Sequence, residues 1–316
     1  MNRVAQHPFQ AFLAALAAVG ILSVMDAVMK ALVLAIGIFA VSIWRSTANL
    51  VLTGALYLPR RYPWPSRPIL KIHVARGVIV TVMAGLFFWG IGRVPLAQAI
   101  ALTFIAPLIA LLLAATFLHE RIGPRSIGGS VMAFAGVLVI VFGQAQTDLG
   151  TDALLGSAAI IGSALCYAIN IVLMRHQSLA AEPLEINFFQ SLTVLVLWLA
   201  VTPFLGFPDW PDGWAAWVGV AAVMSTAGGL LFSWAYARAE ASYLAVTEYS
   251  GFLWAAALGW IIFSEAVSLY TAAGASLIVG RSRSAATAAA LASCSPLLTV
   301  RQVGGPPARH RARGTS

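Results

Sequence analysis

The stretch TVMAGLFFWGIGR at residues 81–93 returns in altered form as TAGGLLFSWAYAR at residues 226–238. Thr81, Leu86, Phe87, Trp89 and Arg93 recur as Thr226, Leu231, Phe232, Trp234 and Arg238, an offset of 145 residues. Carried outward without a gap, the same offset pairs Glu120 with Glu265, Gly129 with Gly274 and Lys30 with Arg175, and sets Arg45 opposite Gln190. A motif that recurs in a register which also aligns its flanks marks a duplication, so the chain reads as two similar halves.

The composition says where those halves sit. Of 316 residues, 60% are apolar and 9% are charged. Soluble domains average roughly 45–50% apolar and about 25% charged, and so few charges cannot cover so much apolar surface in water. A soluble enzyme, a disordered chain and a disulfide scaffold are excluded, and a bilayer is the expected solvent. Runs long enough to cross it lie near 11–30, 36–58, 74–91, 95–118, 126–143, 153–174, 184–204, 214–236, 241–263 and 266–280. The expected fold is therefore an all-α integral membrane protein of ten transmembrane helices. It divides into a first repeat at 11–143, a second at 153–280 and an atypical basic tail at 281–316.

Five spans per half is an odd number, so the second half enters the membrane from the opposite side. Inverted repeats of this kind build secondary transporters, in which two halves rock about a site near the bilayer midplane. Lys and Arg in the short loops set the orientation. With the N-terminus inside, nine fall on the inner side (Arg3, Arg60, Arg61, Arg67, Lys71, Arg121, Arg125, Arg175, Arg238), against Arg93 and Lys30 outside. The multi-pass protein is expected in a cytoplasmic (inner) membrane with its N-terminus inside. Net charge is +8, but six arginines lie in the last 36 residues, which hold no acid. No basic face with interleaved aromatics appears, so nucleic acid is not an expected partner. The expected partners are a small metabolite and lipid. Gly251, Ala255 and Gly259 form a small-x3-small stripe, which serves helix packing within the bundle or a homodimer seam.

Charges inside a membrane are costly and mark function by default. Asp26 and Lys30 share a helical face at i, i+4, either as a mutually neutralising pair with Lys30 snorkelling outward or as part of a site. Arg45 lies deep in the second span and needs an acid, carbonyls or an anionic ligand; Asp26 is the expected partner. Glu248, between Thr247 and Tyr249, is either a proton-coupling or cation-binding carboxyl or a structural partner of Arg238 or Arg45. Glu120, Glu265, Arg93 and Arg238 end helices and read as capping or interface contacts. Gln98, Asn170 and Gln190, with Asn49 and Asn187, offer interhelical hydrogen bonds or specificity. Trp89, Tyr167, Trp234, Tyr243 and Tyr249 are candidates to line a cavity and stack on a ligand. Trp210, Trp214 and Trp217 read as interface-belt residues. The candidate substrate or coupling set is thus Asp26, Lys30, Arg45, Trp89, Gln98, Tyr167, Asn170, Gln190, Trp234, Glu248 and Tyr249.

Met25-Asp26 with Lys30, Trp44-Arg45, the Phe117-Leu118-His119-Glu120 helix end, and the run Glu248-Tyr249-Ser250-Gly251-Phe252-Leu253-Trp254-Ala255 leading to Phe263-Ser264-Glu265 resemble the drug/metabolite transporter superfamily, EamA type. The resemblance covers roughly residues 11–280. It implies a ten-helix inner-membrane carrier of small metabolites such as amino acids, nucleotide-like compounds, vitamins or S-adenosylmethionine.

Enzyme signatures fail. His119-Glu120 starts like H-E-x-x-H, but Gly123 stands in the second histidine's place, which removes the zinc reading. No nucleophile elbow and no P-loop occur. No enzyme activity, cofactor or metal is expected, and ATP does not drive the chain directly. A non-transporting scaffold is the alternative, as is a damaged carrier. Residues 136–143 read GVLVIVFG, but their offset partners 281–288 read RSRSAATA. That loss of pattern in mid-helix suggests a frameshift near codon 280.

Overall fold

The computed structural model describes residues 8–61, 64–106, 150–239, 241–248 and 250–276, with isolated positions between 109 and 142. Its helices are α1 (Pro8–Ile36), α2 (Ile38–Tyr57), α3 (Arg67–Ile91), α4 (Leu96–Thr103), α5 (Gly150–Ser178), α6 (Pro183–Leu199), a short α7 (Thr202–Leu205), α8 (Ala215–Tyr236), α9 (Ala241–Glu248) and α10 (Ser250–Phe263). Residues 269–276 are helical as well. Five described stretches are long and apolar enough to cross a membrane: Phe9–Ile36, Arg67–Ile91, Thr151–Ser178, Pro183–Leu205 and Ala215–Tyr236. Part of the expected fourth span, most of the fifth, the end of the tenth and the tail lie outside the described residues, and so does the suspected frameshift.

Helix α3 shows why the bundle belongs in lipid. Val74, Val78 and Val82 form an exposed stripe, while His73, Arg76, Gly77, Val80, Ala84 and Phe88 are buried. His73 and Arg76 point inward while these three valines point outward, the reverse of a helix in water. In hydrocarbon an outward polar group has no partner, whereas an inward one finds other helices.

Two span boundaries differ from the sequence expectation in a way that matters. Helix α1 runs on to Ile36 rather than stopping at residue 30. Residues 31–36, ALVLAI, contain no breaker, and the chain turns only at Gly37, whose φ of 79° suits a residue without a Cβ. Lys30 therefore lies inside the helix, more than a turn from its end. Helix α3 starts at Arg67, not at 74, with Pro68 in its first turn where a missing N–H costs nothing. That extension brings His73 and Arg76 well inside the helix.

The packing respects the 145-residue offset. Helix α3 packs most extensively on α5, and α1 on α8; the offset exchanges these two pairs. It likewise exchanges α3·α6 with α8·α2 and α1·α9 with α4·α5, and it maps the α2·α6 contact onto itself. Close approach between α3 and α5 depends on glycine. A Cβ on Gly90 would stand 2.8 Å from the Gly156 carbonyl oxygen, and one on Gly156 would stand 2.9 Å from the Arg93 Cβ. The small-residue stripe on α10 is buried within the bundle, with Gly251 facing Val19 and Ile100 and Gly259 facing Leu96.

Candidate functional site

A cavity of about 290 Å³ opens where α1, α2, α3, α4, α5, α6, α8, α9 and α10 converge. Helices of both halves supply its charged and polar lining. Asp26, Arg45 and Arg76 come from the first half, and Tyr167, Asn170, Gln190 and Glu248 from the second. A larger recess of about 570 Å³ lies between α1, α6 and α8, with Arg60, Glu182 and Trp234 on its wall. The buried charges gather in the smaller cavity, which makes it the candidate site.

Arg45 is 8% exposed and carries its guanidinium 5.2 Å from the centre of the Phe88 ring. Its Nε has no hydrogen-bond partner. Asp26, the expected partner, faces it electrostatically, but no ion pair within 4.0 Å and no hydrogen bond joins either one to another described residue. Two opposite charges thus share a cavity without closing on each other. Leaving either charge unpaired in the interior costs several kcal/mol.

Glu248 closes the far side. The Tyr236 hydroxyl donates to its Oε1 at 3.2 Å, and Tyr167 approaches the same carboxyl. Its partners are tyrosines, not the arginines considered from sequence. Arg238 instead lies 4.0 Å from the Trp234 ring centre, donating to the Trp234 carbonyl at 3.1 Å. Arg93 does the same with Trp89 in the other half, at 3.6 Å and 2.9 Å.

Several candidates take other places. Trp89 and Trp234 do not line the cavity, because each is held at its helix end by an arginine one turn on. Gln98 is buried away from the cavity with its Nε2 unpartnered. Lys30 neither pairs with Asp26 nor snorkels outward. It is 4% exposed, forms an ion pair with Glu265, and donates to the Val94 carbonyl at 2.8 Å. The longer α1 explains this, since Lys30 has no free helix end to escape past. Tyr243 packs on Phe12 at the surface. Tyr249 and Glu120 lie outside the described residues. Asn187 bonds the Pro183 carbonyl of its own helix, whereas Asn49 accepts from Ser225 (2.9 Å) and Thr226 (3.3 Å) across helices.

The sequence reading missed Arg76. It is 3% exposed on the cavity wall, where Nε donates to Asn170 Oδ1 at 2.8 Å and Nη1 to Gln177 Oε1 at 3.1 Å. Its signal was present: Arg76 falls at i+3 from His73, on the face opposite the valine stripe.

The sequence pattern of the EamA-like transporter family matches residues 9–142 and again 154–280. The chain is 28% identical to the pseudopaline exporter CntI of Pseudomonas aeruginosa (strain UCBPP-PA14) over 216 residues, 68% of this chain and 74% of that one. It is 28% identical to a riboflavin transporter of Rhizobium johnstonii over 237 residues, 72% of each chain. A probable terminal-alkyne amino-acid exporter of Streptantibioticus cattleyicolor shares 30% identity over 162 residues, 50% of this chain and 52% of that one. A crystal structure of another protein, 20% identical, superposes with a TM-score of 0.63 over 90% of this chain and 98% of its own. This likeness speaks to the fold alone. The protein is a multi-pass membrane transporter by homology, and it belongs to the EamA-like transporter family.

Proposed function

We propose that the chain is a secondary transporter that carries a small amphoteric metabolite across the cytoplasmic membrane by alternating access. The observation that carries this reading is the Asp26–Arg45 pair, two opposite charges that face one cavity and do not neutralise each other by contact. A molecule with an ammonium and a carboxylate group satisfies both at once: its carboxylate meets Arg45 in the paired geometry a guanidinium favours, and its ammonium meets Asp26. Glu248, held by neutral hydroxyls, is free to take and release a proton and so to couple flux to the proton gradient. Contacts exchanged by the 145-residue offset support ten helices in two inverted repeats that rock about this cavity. The N-terminus lies inside in this reading, and transport needs no cofactor.

The test is thermal unfolding of the detergent-purified chain with an α-amino acid, its amide, its N-acetyl derivative and riboflavin. A ligand that binds only the folded state adds about 2.7 kcal/mol at 100 times its dissociation constant. The amino acid raises the midpoint, neither blocked form does, and Arg45→Gln removes the effect. Equal shifts from the blocked forms would overturn the amphoteric seat. A chain with no cooperative transition would favour the damaged-carrier alternative.

A further inference from the structure

A hydrogen-bonded chain leaves the cavity through Arg76 and ends at Glu185, near the start of α6. Beyond the Arg76 contacts already described, Gln177 Nε2 lies 2.7 Å from His73 Nδ1, and His73 Nε2 lies 3.0 Å from Glu185 Oε1. His73, Arg76 and Gln177 are each at most 3% exposed, and His73 stacks on Phe189 at 5.0 Å. The side chain of Glu185 is 13% exposed, which makes it the wet end.

The chemistry of the partners fixes every proton in this chain. Arginine can only donate, so the oxygen of the Gln177 amide must face Arg76. The Gln177 NH₂ therefore faces His73 and donates to Nδ1, which must be bare. The single ring proton sits on Nε2 and is donated to Glu185. The network is complete only with His73 neutral.

We infer that His73 is a positioning residue whose protonation sets, through Gln177, where the Arg76 guanidinium points in the cavity. Taking up a proton puts an N–H on Nδ1, opposite the Gln177 NH₂. Two donors cannot pair, so the amide turns and offers its oxygen to the ring. Its NH₂ then faces Arg76, and that contact is lost. Arg76 keeps Asn170 through Nε, while Nη1 becomes free to reach a ligand. The charged groups that act on the ring are Glu185 from α6 and Arg76 from α3 itself. From α5 it meets the neutral Gln177. Glu185 balances the new charge, so the proton binds as part of a buried pair.

The experiment needs no substrate, so its failure is distinct from failure of the transport reading. Long-range ¹H–¹⁵N spectra of the full chain in detergent, labelled at histidine and arginine, are recorded from about pH 9 down to about pH 5, which brackets ordinary histidine titration. Replacing His7, His119, His176 and His310 by Gln leaves His73 as the single histidine signal, and Arg76→Lys identifies the Arg76 resonance. At alkaline pH, Nδ1 should show the shift of an unprotonated nitrogen and Nε2 that of an N–H. On acidification the ring should become imidazolium, and the Arg76 side-chain resonance should move with the same midpoint. Gln177→Leu should leave His73 titrating but abolish the Arg76 movement. A proton on Nδ1 at alkaline pH, a ring that stays neutral throughout, or an Arg76 signal that ignores His73 would each overturn the inference.

Discussion

Lys30 on α1 and Glu265, two residues past α10, form an ion pair that joins the two halves of the chain. The second oxygen of the same carboxylate accepts the backbone N–H of Leu96 at 2.7 Å, at the first residue of α4. One carboxylate thus holds α1, α4 and the end of α10 together, and it places negative charge at a helix start, where the peptide dipoles favour it.

The pair should behave as a unit in a double-mutant cycle. Lys30→Met leaves Glu265 with no cation, and Glu265→Gln leaves Lys30 buried with only the Val94 carbonyl. Each single change should lower the thermal midpoint. The double variant should fall no further than the worse single, with a coupling energy of about 0.5–3 kcal/mol. Additive losses, measured by thermal unfolding in detergent, would show that the two groups act separately.

Trp89 and Trp234 provide a contrast with the cavity residues. Each stacks under an arginine at its helix end, a contact worth about 0.5–2 kcal/mol. Trp89→Leu and Trp234→Leu should lower the midpoint slightly and leave any ligand-induced shift unchanged in size. Arg45→Gln should do the opposite. A ligand shift lost in either tryptophan variant would return that ring to the site.

This contrast marks what sequence could and could not reveal. Period, hydropathy and the repeat located the bundle and singled out Asp26, Arg45, Tyr167, Asn170, Gln190 and Glu248, all of which line the cavity. Each is a polar residue within a long apolar run, a signal that survives without coordinates. Arg76 escaped because it stands at the third position of the expected 74–91 span, beside the charged stretch that precedes it, whereas the helix begins at Arg67 and turns that charge inward. Lys30 was misassigned for the converse reason: the expected helix ended where the charge appeared, while the apolar run continued to Ile36. Partners were the least legible feature. Asp26 and Lys30 share a helical face, yet Lys30 pairs with a residue 235 positions away.

The α3–α5 crossing should tolerate no side chain at its closest point. Gly90→Val would drive a methyl-bearing carbon against the Gly156 carbonyl, 2.8 Å from the Cβ position, and against Ile160. Overpacking of this kind costs about 1–3 kcal/mol or more. The variant should show a clearly lower midpoint or a reduced folded yield. Gly85→Ala, where the nearest atoms are Trp198 ring carbons at 3.7 Å, should be close to neutral on the same helix. Equal behaviour of the two would mean that the helices do not cross at Gly90.

Glu248 is the remaining decisive position. It is 9% exposed, and its contacts are hydroxyl groups that can serve a carboxyl in either protonation state. Glu248→Gln keeps the shape and keeps Oε1 as an acceptor for Tyr236, so the protein should express and unfold as the parent does. What it removes is the exchangeable proton. In proteoliposomes, flux of a ligand identified by thermal shift should lose its dependence on an imposed proton gradient in Glu248→Gln, while exchange of ligand for ligand continues. Tyr236→Phe, which leaves the carboxyl in place, should retain gradient dependence. If Glu248→Gln responds to the gradient as the parent does, the coupling proton binds elsewhere, and the His73–Glu185 pair becomes the next place to look for it.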